Sequence, residues 1–192
     1  MLKFKQDEHG LMFENKQGQV WILPRPSYCD RGRFEWGQNG FLENVPKPSY
    51  YFFSLEAAQE EVSSFIFATS SGLFPHETEK DLSSSLVSNH NLIAHPEKPS
   101  SWMKLVPWPD GTTKVMSLSL VTTDFADNKN ETLWEISEGT MPFVDHSDQF
   151  PRYFRFVKNA LSELDAFISC RQAQALQRLE ERSPSSSQPK PR

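Results

Sequence analysis

The sequence predicts an α+β fold: two related antiparallel strand-rich units, each closed by an amphipathic helix, in a pseudo-twofold duplication. Three observations predict it. Short aromatic or branched runs separated by turn residues have the pattern of strands buried on one side. Two helix-period apolar stripes each follow an aromatic strand. The two strand–helix segments also superpose without gaps at a separation of 102 positions.

In the first unit, Leu11-Met12-Phe13-Glu14 and Val20-Trp21-Ile22-Leu23 flank Asn15-Lys16-Gln17-Gly18, which is turn chemistry and gives a hairpin. Pro24 and Pro26 end the second run, because proline has no N–H to give a ladder. Arg33 to Trp36 alternates polar and aromatic residues and predicts a third strand, followed by the turn Gly37-Gln38-Asn39-Gly40. Tyr50 to Phe53 is the fourth. Ser54 then offers a hydroxyl N-cap, and Leu55, Ala58, Val62, Phe65 and Ile66 fall on one face of a helix.

The second unit repeats the plan. Strands are expected at Trp102 to Val106 and Lys114 to Val121, around Pro107-Trp108-Pro109-Asp110-Gly111, where Asp-Gly is a favoured turn pair. Further strands are expected at Thr132 to Ile136 and Arg152 to Phe156. The closing helix is expected from about Val157 toward Glu181, with Val157, Ala160, Leu161, Leu164, Phe167 and Ile168 as its stripe.

The repeat rests on Phe41/Phe143, Tyr51/Tyr153, Phe52/Phe154, Ala58/Ala160, Glu61/Glu163, Phe65/Phe167 and Ile66/Ile168. Upstream, Phe34-Glu35-Trp36 faces Trp134-Glu135-Ile136 at a separation of 100. The organisation is then a first unit over 1–67, a Ser/Pro-rich linker or long loop over 68–100, a second unit over 101–182 and a tail over 183–192 without core-forming residues. A unit of such size has a marginal core alone, so the two are expected to pack together.

Bulk numbers narrow the function. Of 192 residues, 20 are basic and 25 acidic, a formal charge of −5, so nucleic acid or anionic lipid is not attracted globally and needs a local patch. The start has no apolar run after its charges, and no stretch has the length of a membrane helix. Two cysteines are too few for a disulfide framework, so a cytoplasmic setting is the expectation.

No nucleophile elbow, phosphate loop or compact metal-ligand motif is present in the chain. Cys29, near Arg31 and Arg33, has basic neighbours but is expected to serve as a small apolar side chain, and Asp145, His146 and Asp148 form an oxygen-rich turn expected to be exposed polar loop, so no cofactor or metal is called for. Glu35 and Glu135 match across the repeat among aromatics and are expected on solvent faces.

Two surface readings follow. Trp108 between two prolines is a rigid anchor of low entropy, and the last helix overshoots its counterpart, carrying Arg171, Arg178 and Arg182 beyond the sheet. These residues are the expected protein contacts of a non-catalytic interaction, accessory or assembly subunit of a larger intracellular complex. The alternative is a nucleoprotein subunit that grips a single strand with Arg25, Arg31, Arg33 and Trp36, and with Arg152 and Arg155, among aromatic rings. A second alternative is a small enzyme whose active site is assembled from scattered residues.

Overall fold

Alternating runs joined by tight turns make two antiparallel sheets. The computed structural model describes residues 2–26, 32–41, 47–71, 77–125, 129–139, 141–145 and 150–182. The first sheet contains β1 (Lys5–Gln6), β2 (Leu11–Glu14), β3 (Gln19–Pro24), β4 (Phe34–Asn39) and β5 (Tyr51–Phe52), in that order across the sheet. Asn15 tightens the β2–β3 turn, its Oδ1 accepting the N–H groups of Gln17 and Gly18 at 2.8 and 3.1 Å. Val20, Ile22 and Trp36 supply the buried face. On the other face the Trp21 indole lies over Gly37, its cross-strand neighbour, at 2.6 Å from where a Cβ would stand. Only glycine leaves that space.

Helix α1 (Leu55–Ser71) follows β5, and its first turn is capped as expected: the Ala57 N–H donates to Ser54 Oγ at 3.2 Å. After a 3-10 turn (Glu79–Asp81) come α2 (Ser84–Asn89), β6 (Ile93–Ala94), β7 (Ser101–Pro107), β8 (Thr113–Phe125), β9 (Lys129–Glu138) and β10 (Met141–Pro142). The remaining elements are β11 (Val144–Asp145), β12 (Phe150–Pro151), β13 (Tyr153–Phe154) and α3 (Val157–Arg182). The second sheet runs β10-β9-β8-β7-β6, with β13 also on β9, and β11 pairs β12 apart from it. The fold is therefore α+β, with two antiparallel sheets and three helices among the described residues. No helix among them is long and apolar enough to cross a membrane.

The separations picked out in the sequence reappear in the pairing register. Phe34 lies opposite Phe52 and Glu35 opposite Tyr51; Trp134 lies opposite Phe154 and Glu135 opposite Tyr153. Helix α1 packs on β4 and β5, α3 on β9 and β13, and the helices pack on each other. One continuous core results, in which Phe53 meets Phe167 edge-on at 5.2 Å and Phe52 meets Phe154 at 6.3 Å.

The segment 68–100 does more than link. Helix α1 extends into it as far as Ser71, Leu82 and Leu92 are buried in the common core, and β6 adds an edge strand to β7. Thr78 and Ser83 within it work as caps: Thr78 and Asp81 form a capping box, and Ser83 accepts from the Leu86 N–H. Asp165 of α3 holds it from the other side, pairing with His90 Nδ1 and with Lys104 Nζ of β7, each at 2.7 Å. The expected tail, 183–192, lies outside the described residues.

Candidate functional site

Two groups of charged residues stand out, one inside the molecule and one at its surface. The interior group sits where each aromatic strand turns into its helix. The Glu163 carboxylate, on α3, accepts the N–H groups of Phe53 at 2.8 Å and Ser54 at 2.9 Å, just before α1. The Glu61 carboxylate, on α1, accepts the N–H of Arg155 at 3.1 Å, just before α3. Each helix thus places a carboxylate at the N-terminus of the other, where unsatisfied N–H groups and the helix dipole both favour negative charge. Glu61 lies between Ala58 and Phe65, and Glu163 between Ala160 and Phe167, at spacings of three and four, which puts both on the apolar stripes.

Their companions differ. Glu163 also receives Arg152 Nη1 at 3.0 Å, with both residues almost wholly buried. Glu61 receives the neutral Asn159 Nδ2 at 2.8 Å, while the nearby Arg155 guanidinium pairs with Glu131 at 3.2 Å. Burial raises both carboxyls above the usual range against these hydrogen bonds, Glu61 to about 7. Glu77 adds a further carboxylate at the start of α3, accepting from the Val157 N–H and from Trp134 Nε1 at 2.9 Å; burial raises it too.

This interior takes up much of the arginine–aromatic pattern. Arg152 and Arg155 are 3 % and 7 % exposed and paired inside, and Trp36 is 2 % exposed, its Nε1 donating to the Ser49 carbonyl at 2.7 Å. Arg25 pairs with Glu35 and lies over the Tyr51 ring. Arg33 is exposed. Arg31 and Cys29, like His146 and Asp148, lie outside the described residues. Glu135 is half-buried and its carboxyl raised by burial, with Tyr153 opposite. Among the described residues no group of three or more His, Cys, Asp or Glu is placed to hold a metal ion.

The surface group lines a groove of about 230 Å³ between the far part of α3 and the ends of β7, β8 and β9. Its walls are Trp108, Lys114, Glu138, Arg171, Gln174, Ala175 and Arg178. The four α3 residues follow i, i+3, i+4, i+7 spacing and so form one stripe. Opposite them, the 108–112 turn fixes the tryptophan. The Trp108 N–H donates to the Thr112 carbonyl at 2.7 Å, and Asp110 Oδ1 accepts the Thr112 N–H at 2.9 Å. Gly111 takes φ +86°, a conformation that strains other residues. Trp108 is half-buried, with Lys114 Nζ 4.4 Å from its ring centre, and Lys114 in turn pairs with Glu138 at 2.5 Å. Gln172 anchors α3 alongside by donating to the Pro107 carbonyl at 2.8 Å.

The groove therefore unites Trp108, Arg171 and Arg178, which the sequence had singled out separately, whereas Arg182 sits on the exposed end of α3 and does not line it. Lys114, Glu138 and Gln174 join it through strand register and helix phase. Gln174 lies one turn from Arg171 and Arg178 and Lys114 just past the Trp108 turn, whereas Glu138 had no advance signal. Neither a protein-family model, a curated protein nor a solved structure gives a significant match to the chain.

Proposed function

We propose that this chain is a non-catalytic interaction module, an accessory or assembly subunit that docks into a larger complex through the groove between Trp108 and α3. The observation that carries this reading is the convergence of an aromatic anchor held by two prolines with two arginines of a projecting helix on one concave surface. Tryptophan and arginine are the side chains most often found to dominate binding energy. Beyond the groove, α3 exposes Leu176 and Leu179, apolar area that a partner would cover. The equal registers and the crossed carboxylates support descent of both halves from one module, the second having gained a longer helix for this contact.

The single-strand-binding alternative has less behind it. Arg152, Arg155 and Trp36 are committed to the interior and Arg25 to Glu35, which leaves Arg33 as the exposed cation of that group among the described residues. Affinity purification from the source cells tests the proposal. Trp108→Ala should remove the co-purifying partner while circular dichroism stays native, and truncation after Arg171 should remove it while the urea-unfolding transition stays cooperative and only the helical signal of the deleted turns is lost. Unchanged recovery in both would overturn the reading.

A further inference from the structure

We infer that Glu135 and Tyr153 form a second contact, separate from the groove: a seat for an arginine side chain of a partner polypeptide. The first half of the molecule shows such a seat filled. There Glu35 on β4 lies opposite Tyr51 on β5, and Arg25 pairs with Glu35 while its guanidinium lies 5.1 Å from the centre of the Tyr51 ring. In the second half Glu135 on β9 lies opposite Tyr153 on β13, and directly opposed residues project from the same face of a sheet. The Glu135 carboxylate forms no ion pair or hydrogen bond among the described residues. Glu131, the other acid of β9 on this face, is answered by Arg155 at 3.2 Å. Burial raises the Glu135 carboxyl, and the charge of exposed Lys98, which does not pair with it, offsets only part of that. Burial, and next the charge of Glu135, raise the Tyr153 hydroxyl in turn.

A guanidinium fits both members of the pair, since its planar fork matches a carboxylate and its face lies on an aromatic ring. The seat is on the side of β7, β8 and β9 turned away from α3. Met116, Leu118 and Ile136 are buried on the α3 side, and Ser117, Ser119 and Glu135 alternate with them. Val115, four residues from Ser119 on this outer face, lies opposite Leu105, which is 55 % exposed; Ser119 itself lies opposite Glu135. Between these two rows, Ser117 and Ser137 face each other, each 8 % exposed, with hydroxyls that have no hydrogen-bond partner among the described residues. An extended peptide laid along β8 sets an arginine over Glu135. Four positions away, on the same side of that peptide, an apolar residue meets Val115 and Leu105, about 13 Å along the strand. The −5 charge of the chain favours such a cationic partner. The segments 126–128 and 146–149, outside the described residues beside β9 and β12, contain no arginine or lysine, so they do not supply the cation.

The test titrates the full chain with a blocked heptapeptide, Ser-Arg-Ser-Ser-Ser-Leu-Ser, and follows the backbone amides of Ser119 and Ile136 by NMR. The controls are the same peptide with citrulline for arginine, and free arginine. The arginine peptide should shift both amides saturably, with a dissociation constant of about 1 mM or tighter. Glu135→Gln should weaken it at least fivefold, and Tyr153→Leu about threefold. Lys98→Ala should tighten it about twofold by removing a like charge. Citrulline peptide bound as tightly as the arginine peptide, an unchanged constant in Glu135→Gln, or no shift at about 10 mM peptide would overturn the inference. Free arginine should bind at least fivefold more weakly than the peptide; equal binding would make this a small-molecule site and overturn the polypeptide partner. A chain ending at Arg182 should bind as the full chain does. Tighter binding by that variant would make the tail, which carries Arg192, the occupant and overturn the assignment to a partner. The groove at Trp108 is tested by partner recovery alone, so failure here leaves that reading standing.

Discussion

Glu163 and Glu61 hold equivalent places and perform the same local task, yet their surroundings are built differently. Glu163 neutralises a buried arginine while it caps α1; Glu61 caps α3 with only an amide beside it and a guanidinium already claimed by Glu131. A buried carboxylate with a cation at 3.0 Å is a charge pair, and loss of either partner strands the other. A buried carboxylate without one of its own sits near its titration point at neutral pH. One geometric solution thus pairs a buried carboxyl with a cation on one side and with a neutral amide on the other, and burial raises both.

The sharpest way to break this comparison is Glu163→Ala. It leaves Arg152 buried without its carboxylate and the N–H groups of Phe53 and Ser54 without an acceptor, and should cost about 3–5 kcal/mol in urea unfolding. A loss under about 1 kcal/mol would mean that the joint is not ionic. The next largest effect concerns pH. The folded Glu61 carboxyl is raised from 4.5 to about 7, so its contribution is complete below 4.5 and is lost as pH rises through about 7. Stability should fall by roughly 2–3 kcal/mol between pH 5 and pH 8 from this group, with Glu163 and Glu77 shifted in the same direction. Glu61→Gln should flatten that slope by its share; an unaltered slope in the urea midpoints would remove Glu61 from the explanation.

Smaller still is Asn159→Ala. The amide favours the charged form of Glu61, so its removal should cost about 1 kcal/mol at pH 8 and less at pH 5. An equal cost at both values would show that Asn159 acts by packing alone. The least effect is expected at the surface: Arg171→Gln with Arg178→Gln should change stability by no more than about 0.5 kcal/mol. A larger loss would make the groove part of the scaffold, and its arginines would resemble the interior ones.

Much of this architecture could be read from residue order. The hairpins announced themselves through Asn15 to Gly18 and Asp110-Gly111, and the helices through their stripes, because turn chemistry and periodicity are local properties. The short β1 and β6 were not foreseen, since two-residue edge strands such as Lys5–Gln6 and Ile93–Ala94 have no period to detect. The Glu61/Glu163 identity was visible at the separation of 102 positions, but helix phase alone does not reveal that backbone N–H groups about 100 residues away await those carboxylates. Arg152 and Arg155 were open to a surface reading for the same reason: alternation sorts faces, whereas a buried cation depends on which acid the rest of the chain delivers. Trp108, Arg171 and Arg178 were each legible from local cues; the concavity that joins them arises only when β7 and α3 come side by side.

The acceptor for the Phe53 amide lies 110 residues downstream. During synthesis, then, the segment through α1 leaves the ribosome with the start of its first helix unfinished and must wait for α3 to emerge. Such distant closure slows folding.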